Sequence, residues 1–463
     1  MPATPRLGLL GLMLELYDRA APDLKPREEP FAVKLAGKLG GFAEVTYGGI
    51  AVTREEVEQR LAAFRAAEVD LIVIVHLSYS PSLIALPGLL RAGVPLVLFN
   101  TQQLAAITDE FTADDMLLNH GMHGQQDLAN TLVRMGHPFG VVTGHWEDAA
   151  ALAELQDWAV AAATARSLRQ AQLGRIGNPF QDMGDFGLDE TRFLTEVGPH
   201  VQQVSLGLLA ELQDGADEEA VAATVADYRQ QYDIAADLSD DELAASARAE
   251  VAAREAVRQL GLQGLSIHYE ALGHDPRFQA LPFAAAARMM TEGIAFGGEG
   301  DVTSAAAVLL MHRLTGLATF SEMFTMDLGG GTIFMSHFAE GNPQMAKCGQ
   351  QVQMVRRDGW VGSGGVSASL AFTMEPGPMT MVNLTVGHGG EFHLIAALGE
   401  ARDFLVPGQP TPHFRFEPQT PLKWFLSRYL ELGGSHHVAL SPGDRMSRVS
   451  KCAQVMGLRL DVI

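Results

Sequence analysis

Cysteine is nearly absent: Cys348 and Cys452 are the only two in 463 residues. Two isolated cysteines exclude a disulfide framework and any Cys-x-x-Cys pair, and they fit a reducing cytosol. Basic residues are also scarce, 33 against 55 acidic ones, for a formal charge of −22. Phosphate backbones and anionic lipid surfaces would be repelled, so neither nucleic acid nor membrane is an expected partner. No apolar run approaches the ~20 residues of a membrane span. The short apolar segment Leu7 to Leu14 runs into Glu15 with no small-residue cleavage site, and is read as a first buried strand and not a secretion signal. Gly329-Gly330-Gly331 lacks a P-loop ending, Gly362 to Gly365 lacks dinucleotide spacing, and no Gly-x-Ser-x-Gly elbow or internal repeat occurs.

What is present is a long, well-packed α/β pattern, 47% hydrophobic, and its length implies two to three domains. Residues 1–165 alternate helices with strands such as Leu71 to Val75, Leu96 to Phe99 and Gly140 to Thr143, which predicts a parallel sheet flanked by helices. His76, Asn100 to Gln102 and His145 follow those strands. Residues 166–315 read as a second α/β domain, with helices over Asp217 to Gln231 and Asp240 to Leu260 and a strand over Gly264 to His268. Residues 316–463 carry consecutive strands with short Pro/Gly connections, Val366 to Met374, Met379 to Val386 and Glu391 to Leu398, and predict an antiparallel sheet or barrel.

Chemistry-bearing residues concentrate in the last third. Glu299 lies between two glycines at the entrance of a helix that Asp301 would cap. Glu322 lies between Phe320 and Phe324; a buried carboxylate needs a partner, and a metal or a proton-transfer role supplies one. A lone histidine such as His337 is ordinarily a hydrogen-bonded core residue. After Gly433-Gly434, the adjacent His436 and His437 point different ways, so one of the two is expected to ligate. Two carboxylates and two imidazoles form a mixed O/N set suited to Mn²⁺ or a neighbouring divalent ion. Tyr269, in His268-Tyr269-Glu270 after a strand, is a candidate substrate contact.

Phe296-Gly297-Gly298-Glu299-Gly300-Asp301, then Glu322, then Gly341-Asn342 after His337, and Gly433-Gly434-Ser435-His436-His437, resemble the L-arabinose isomerase family. Leu118-Asn119-His120-Gly121-Met122-His123-Gly124 and Gly144-His145-Trp146 extend the likeness upstream. The resemblance implies a three-domain α/β enzyme, cytoplasmic and homo-oligomeric (trimer or hexamer), with active sites near subunit contacts. It implies Mn²⁺, with Co²⁺ or Mg²⁺ as alternatives, held by Glu299, Glu322, His337 and His437. Glu299 and Glu322 would carry protons between an aldose and its 2-ketose through a cis-enediol, one with a raised pKa and the other ionised. His123 would contact the sugar, with His120, Leu14, Phe324 and His436 at neighbouring substrate positions. Departures accompany the likeness. Val302 and Thr303 replace a common Trp-Lys, Phe324 replaces a Tyr, and Leu14 and His120 stand where Gln is common. A Gly/Ser-rich stretch, Gly362 to Ser367, replaces a Gly-Lys-Asp-Asp-Pro-like segment. Retained ligands with drifting sugar contacts imply the same reaction on a sugar other than L-arabinose. A ketose epimerase and a non-catalytic sugar-binding homologue are the alternatives.

Overall fold

A computed structural model describes residues 4–358, 365–406 and 408–463. By compactness the chain divides into Ala3–Arg166 and Ser167–Ile463. In the first unit, β1 (Arg6–Leu12), β2 (Glu44–Tyr47), β3 (Leu71–His76), β4 (Leu96–Asn100) and β5 (Gly140–Thr143) form one parallel sheet in the order β2-β1-β3-β4-β5. The solid apolar run of β3 is buried throughout, as a strand covered on both faces must be. The helix Arg54–Ala66 starts at a Thr53/Glu56 capping box and buries Val57, Leu61 and Phe64, the spacing that predicted it. His76, expected at a ligand-facing strand end, is instead fully buried, and burial pushes its imidazole down to about 4. Gly124 makes this packing possible: a Cβ there would lie 2.1 Å from the His76 ring.

Glu28 is buried within the helix Leu24–Leu39 and accepts one hydrogen bond, from Gln103 Nε2 at 2.9 Å, while Oε1 has no partner. Burial pushes its carboxyl up to about 8 from the usual 4.5. The folded form therefore holds a proton that the unfolded chain releases near 4.5, and stability declines as pH rises toward 8. Glu28→Gln should flatten that decline, gaining on the wild type by an amount on the order of a few kcal/mol at pH 8.5 and little at pH 4, as read by urea unfolding.

The second unit holds three sheets. β6 (Gln172–Ile176), β7 (His200–Val204), β9 (Gly264–Ile267) and β10 (Ala295–Gly298) form a parallel sheet in the order β10-β9-β6-β7. β8 (Asp233–Ile234) pairs with β13 (Gln353–Arg357), which pairs with β14 (Ser367–Ala371). The remaining strands are β11 (Thr319–Asp327), β12 (Thr332–Ser336), β15 (Gly377–Val386), β16 (Phe392–Arg402), β17 (His413–Pro418), β18 (His437–Pro442) and β19 (Arg459–Val462). They order as β15-β18-β11-β12-β17-β16-β19, and an antiparallel β15–β16 pairing closes six of them into a barrel, leaving β19 parallel to β16.

One apolar core joins Val221, Tyr228 and Leu243 of the central helices to Met354, Leu370, Phe372 and Phe414 of the β-rich part. The expected boundary near 315 thus falls inside one packed body, where the sheet of β8, β13 and β14 spans it. Gly329 to Gly331 form the turn between β11 and β12, while Gly362 to Gly364 of the Gly-rich stretch lie outside the described residues. Both cysteines are free. Among the described residues no helix is long and apolar enough to cross a membrane.

Candidate metal and proton-transfer site

Glu299 immediately follows β10, at the carboxyl end of a parallel strand where such sheets present ligand-binding groups. Its backbone is pinned on both sides: its N–H donates to Ile267 O at 2.8 Å, and its carbonyl accepts from Phe180 N at 2.9 Å. The residue is held at φ 59°, a left-handed conformation that costs a non-glycine residue about 1–3 kcal/mol and concentrates at functional positions. Gly300 follows at φ 83°, and a Cβ there would lie 2.5 Å from Asn178 O, so only glycine lets the chain turn this tightly.

Asp301 does two things with its two oxygens. Oδ1 accepts from the N–H groups of Thr303 and Ser304 at 2.9 and 3.1 Å, capping the helix Val302–Thr315 as expected. Oδ2 lies 3.1 Å from His437 Nδ1. Burial would raise the Asp301 carboxyl, but its bonds to His437, Thr303 and Ser304 outweigh that and hold it below the ordinary range.

The other residues come from the barrel. On β11, Glu322 sits opposite His437 of β18 on one side and Ser336 of β12 on the other. His337 follows β12, its ring centroid 5.3 Å from that of His437, and Phe320 contacts both rings. His337 Nδ1 lies 2.7 Å from Glu340 Oε2. Its Nε2 faces the end of β10, 3.1 Å from where a Cβ on Gly298 would be. His436 Nδ1 lies 2.7 Å from Asp185 Oδ2, and Phe186 covers both His436 and His437.

Glu299, His436 and His437 each offer a ligand atom within 4.8 Å of the others. Glu299 Oε2 is 3.6 Å from His436 Nε2 and 3.8 Å from His437 Nε2. Glu299 Oε2 and His437 Nε2 are buried without a hydrogen-bond partner. Unpaired buried polar atoms facing one another are costly unless a shared ion or substrate satisfies them. All three histidines place a carboxylate at Nδ1, the arrangement that fixes the tautomer and leaves Nε2 as the donor to a metal. The residues present therefore fit a divalent ion.

Electrostatically the three rings differ. Burial lowers the pKa of His437, so it is neutral. Burial also opposes charge on His337, but Glu340, helped by Glu322 and Glu299, raises it. His436 is pushed up to about 10, its bond to Asp185 and the nearby Glu299 carboxylate overcoming its burial. Burial would raise Glu299, yet the neighbouring histidines hold it below the usual carboxylate range, so Glu299 is an ionised member of the proposed pair.

Glu322 is half-buried and not enclosed, and Phe324 is 55% exposed beside a register shift that turns the strand after Met323. Phe324 therefore presents its ring to solvent, where it is open to contact with a sugar. Tyr269 is half-buried, stacked on Phe338 with centroids 5.5 Å apart. Burial, then Glu299 and Glu270, push its phenol up to about 12. Leu14, His120 and His123 belong to the first unit, where the His120 and His123 rings meet edge to face at 4.6 Å.

Sequence reasoning missed Asp185 and Glu340 and saw Asp301 only as a cap. Glu340 was findable three residues after His337. Asp185, 251 residues before His436, carries no sequence signal.

Three sequence families match in succession: L-arabinose isomerase N-terminal domain over residues 29–170, central domain over 175–316 and C-terminal domain over 317–459. Similar curated proteins include the L-arabinose isomerase of Acidothermus cellulolyticus, 27% identical over 83% of this chain and 79% of its own. L-arabinose isomerase 1 of Bacillus licheniformis is 26% identical over 91% and 86%, and that of Thermotoga neapolitana 28% over 89% and 83%.

Proposed function

Since this chain belongs to the L-arabinose isomerase family, we propose that it is a metal-dependent aldose–ketose isomerase acting on a sugar other than L-arabinose. Interconversion of aldose and ketose sugars is the family's chemistry. The observation that carries the metal-dependent reading is the pair of unpartnered buried atoms, Glu299 Oε2 and His437 Nε2, facing each other among histidines whose Nδ1 atoms are all held by carboxylates.

Glu299, Glu322, His337 and His437 would hold Mn²⁺, with Co²⁺ or Mg²⁺ as alternatives. Such an ion supplies Lewis-acid stabilisation of negative charge on the sugar oxygens. The protein supplies the rest. Glu299, ionised, would take the proton from C2 and return it to C1, and Glu322 would move one between O1 and O2 as the cis-enediol forms and collapses. Phe186 and Phe320 pack on the His437 ring and keep it buried, which strengthens the charge–charge contacts on that side. His437 is fully buried with one nitrogen unpartnered and is the better ligand; His436 is half-exposed with Asp185 and Glu299 at its two nitrogens, and suits a sugar hydroxyl. In this reading the enzyme is a cytoplasmic homo-oligomer, trimer or hexamer, and His123, His120 and Leu14 contribute to sugar binding.

EDTA-stripped protein, with and without Mn²⁺, should be assayed against a panel of aldoses and ketoses. Exchange is expected only with the ion, and Mn²⁺ at a hundred times its Kd should stabilise the fold by about 2.7 kcal/mol. Ordinary turnover of L-arabinose with a low KM would sink the substrate part. No thermal shift and no exchange would sink the metal site, and a second ketose as product would make the enzyme an epimerase.

A further inference from the structure

Arg357 closes β13 and is half-buried. Its neighbour Arg356 is paired, with Glu242 at 3.2 Å and with Asp358. Among the described residues Arg357 has no carboxylate within ion-pair distance, and its Nε is buried without a partner. None of the remaining residues is acidic. Burial accordingly lowers its pKa, with Glu340 acting from further away. A half-buried guanidinium with no carboxylate partner is poised for a planar anion, since its fork matches carboxylate and phosphate oxygens.

Its position links it to the proposed site. The guanidinium carbon lies 4.4 Å from the centroid of Phe338, the residue after His337. Phe338 stacks on Tyr269, with centroids 5.5 Å apart. Tyr269 also meets Phe180, whose N–H binds Glu299 O. An aromatic row thus runs from the backbone of Glu299 to a cation that has no carboxylate within ion-pair distance among the described residues.

We propose that Arg357 is a specificity-determining residue, and that the sugar carries an anionic group, carboxylate or phosphate, at the end remote from the carbonyl being isomerised. This rests on the isomerase reading of Glu299 and Glu322. The aldose–ketose exchange leaves the anionic group untouched, so its role is binding alone.

Calorimetric titration of the Mn²⁺-loaded full chain with D-glucuronate against D-glucose, and D-ribose 5-phosphate against D-ribose, tests it. One anionic sugar should bind about tenfold or more tightly than its neutral counterpart, and which pair shows the preference separates carboxylate from phosphate. Arg357→Leu should lose that preference with an unchanged melting temperature, and Arg357→Lys should keep part of it. In turnover, Arg357→Leu should raise KM and spare kcat. Equal binding within both pairs, no binding of either anion, or a preference surviving Arg357→Leu overturns the proposal. An intact preference with no exchange on any sugar would leave the anion site standing and overturn the isomerase reading.

Discussion

Glu299→Gln should lose aldose–ketose exchange by about 10³-fold while the protein keeps its fold. The substitution retains side-chain length, and Gln meets the same backbone demand at φ 59° that Glu does. What it removes is the ionised Oε2 that faces His436 and His437. An amide there cannot accept a proton from carbon, and it is a poorer ligand for a divalent ion. Steady-state turnover, Mn²⁺ titration and a melting curve on the same sample separate the terms: activity and metal affinity fall, and the melting temperature stays close to the wild type. Activity within tenfold of wild type would remove Glu299 from the proton path.

The second large effect is expected at Asp301, where two substitutions should part company. Asp301→Ala removes the helix cap and leaves His437 Nδ1 buried and unpaired, and should cost about 2–4 kcal/mol in urea unfolding as well as metal affinity. Asp301→Asn should fold nearly as well yet still lose Mn²⁺ affinity, by about 10- to 100-fold. The reason is donor and acceptor arithmetic. Thr303 N and Ser304 N both donate to Oδ1, so the amide oxygen must take that place. The amide NH₂ then faces His437 Nδ1 and donates to it, which moves the ring proton to Nε2, the atom a metal needs free. Turning the amide round restores the histidine tautomer but sets NH₂ against two N–H donors. Equal metal affinity in Asp301→Asn and wild type would show that His437 is not a ligand.

Much of this was open to a sequence reading because the signals were local. Solid apolar runs gave the buried strands, and the Thr53 and Ser239 capping boxes mark helix starts within three residues. Glu299 between glycines before a capping Asp301 was visible for the same reason: the turn, the carboxylate and the cap are consecutive. The strands that carry Glu322 and His437, β11 and β18, were not predicted as strands. Their chemistry was recognised through motifs while their geometry was not. Phe324 shows the limit plainly. A motif marked the position, but the exposure of its ring follows from the shift after Met323, and such a shift depends on the partner strand.

By itself the sequence determined the α/β class, the helix caps, the strained glycine-flanked turn and the residue types that can bind a metal and move protons. Only the tertiary structure decided which of those residues meet. β11 pairs with β12 and β18, which sets Glu322 between His437 and the end of the strand that leads into His337. Closure of the barrel fixes that register, and packing in one core of the central helices and β-rich part accompanies it. Asp185 reaches His436 across 251 residues, and Arg357 is left without the acid that its neighbour Arg356 has. Periodicity and caps act over a few residues, whereas these contacts depend on strand register and on which charges burial leaves unpaired, quantities that exist only once the chain has folded.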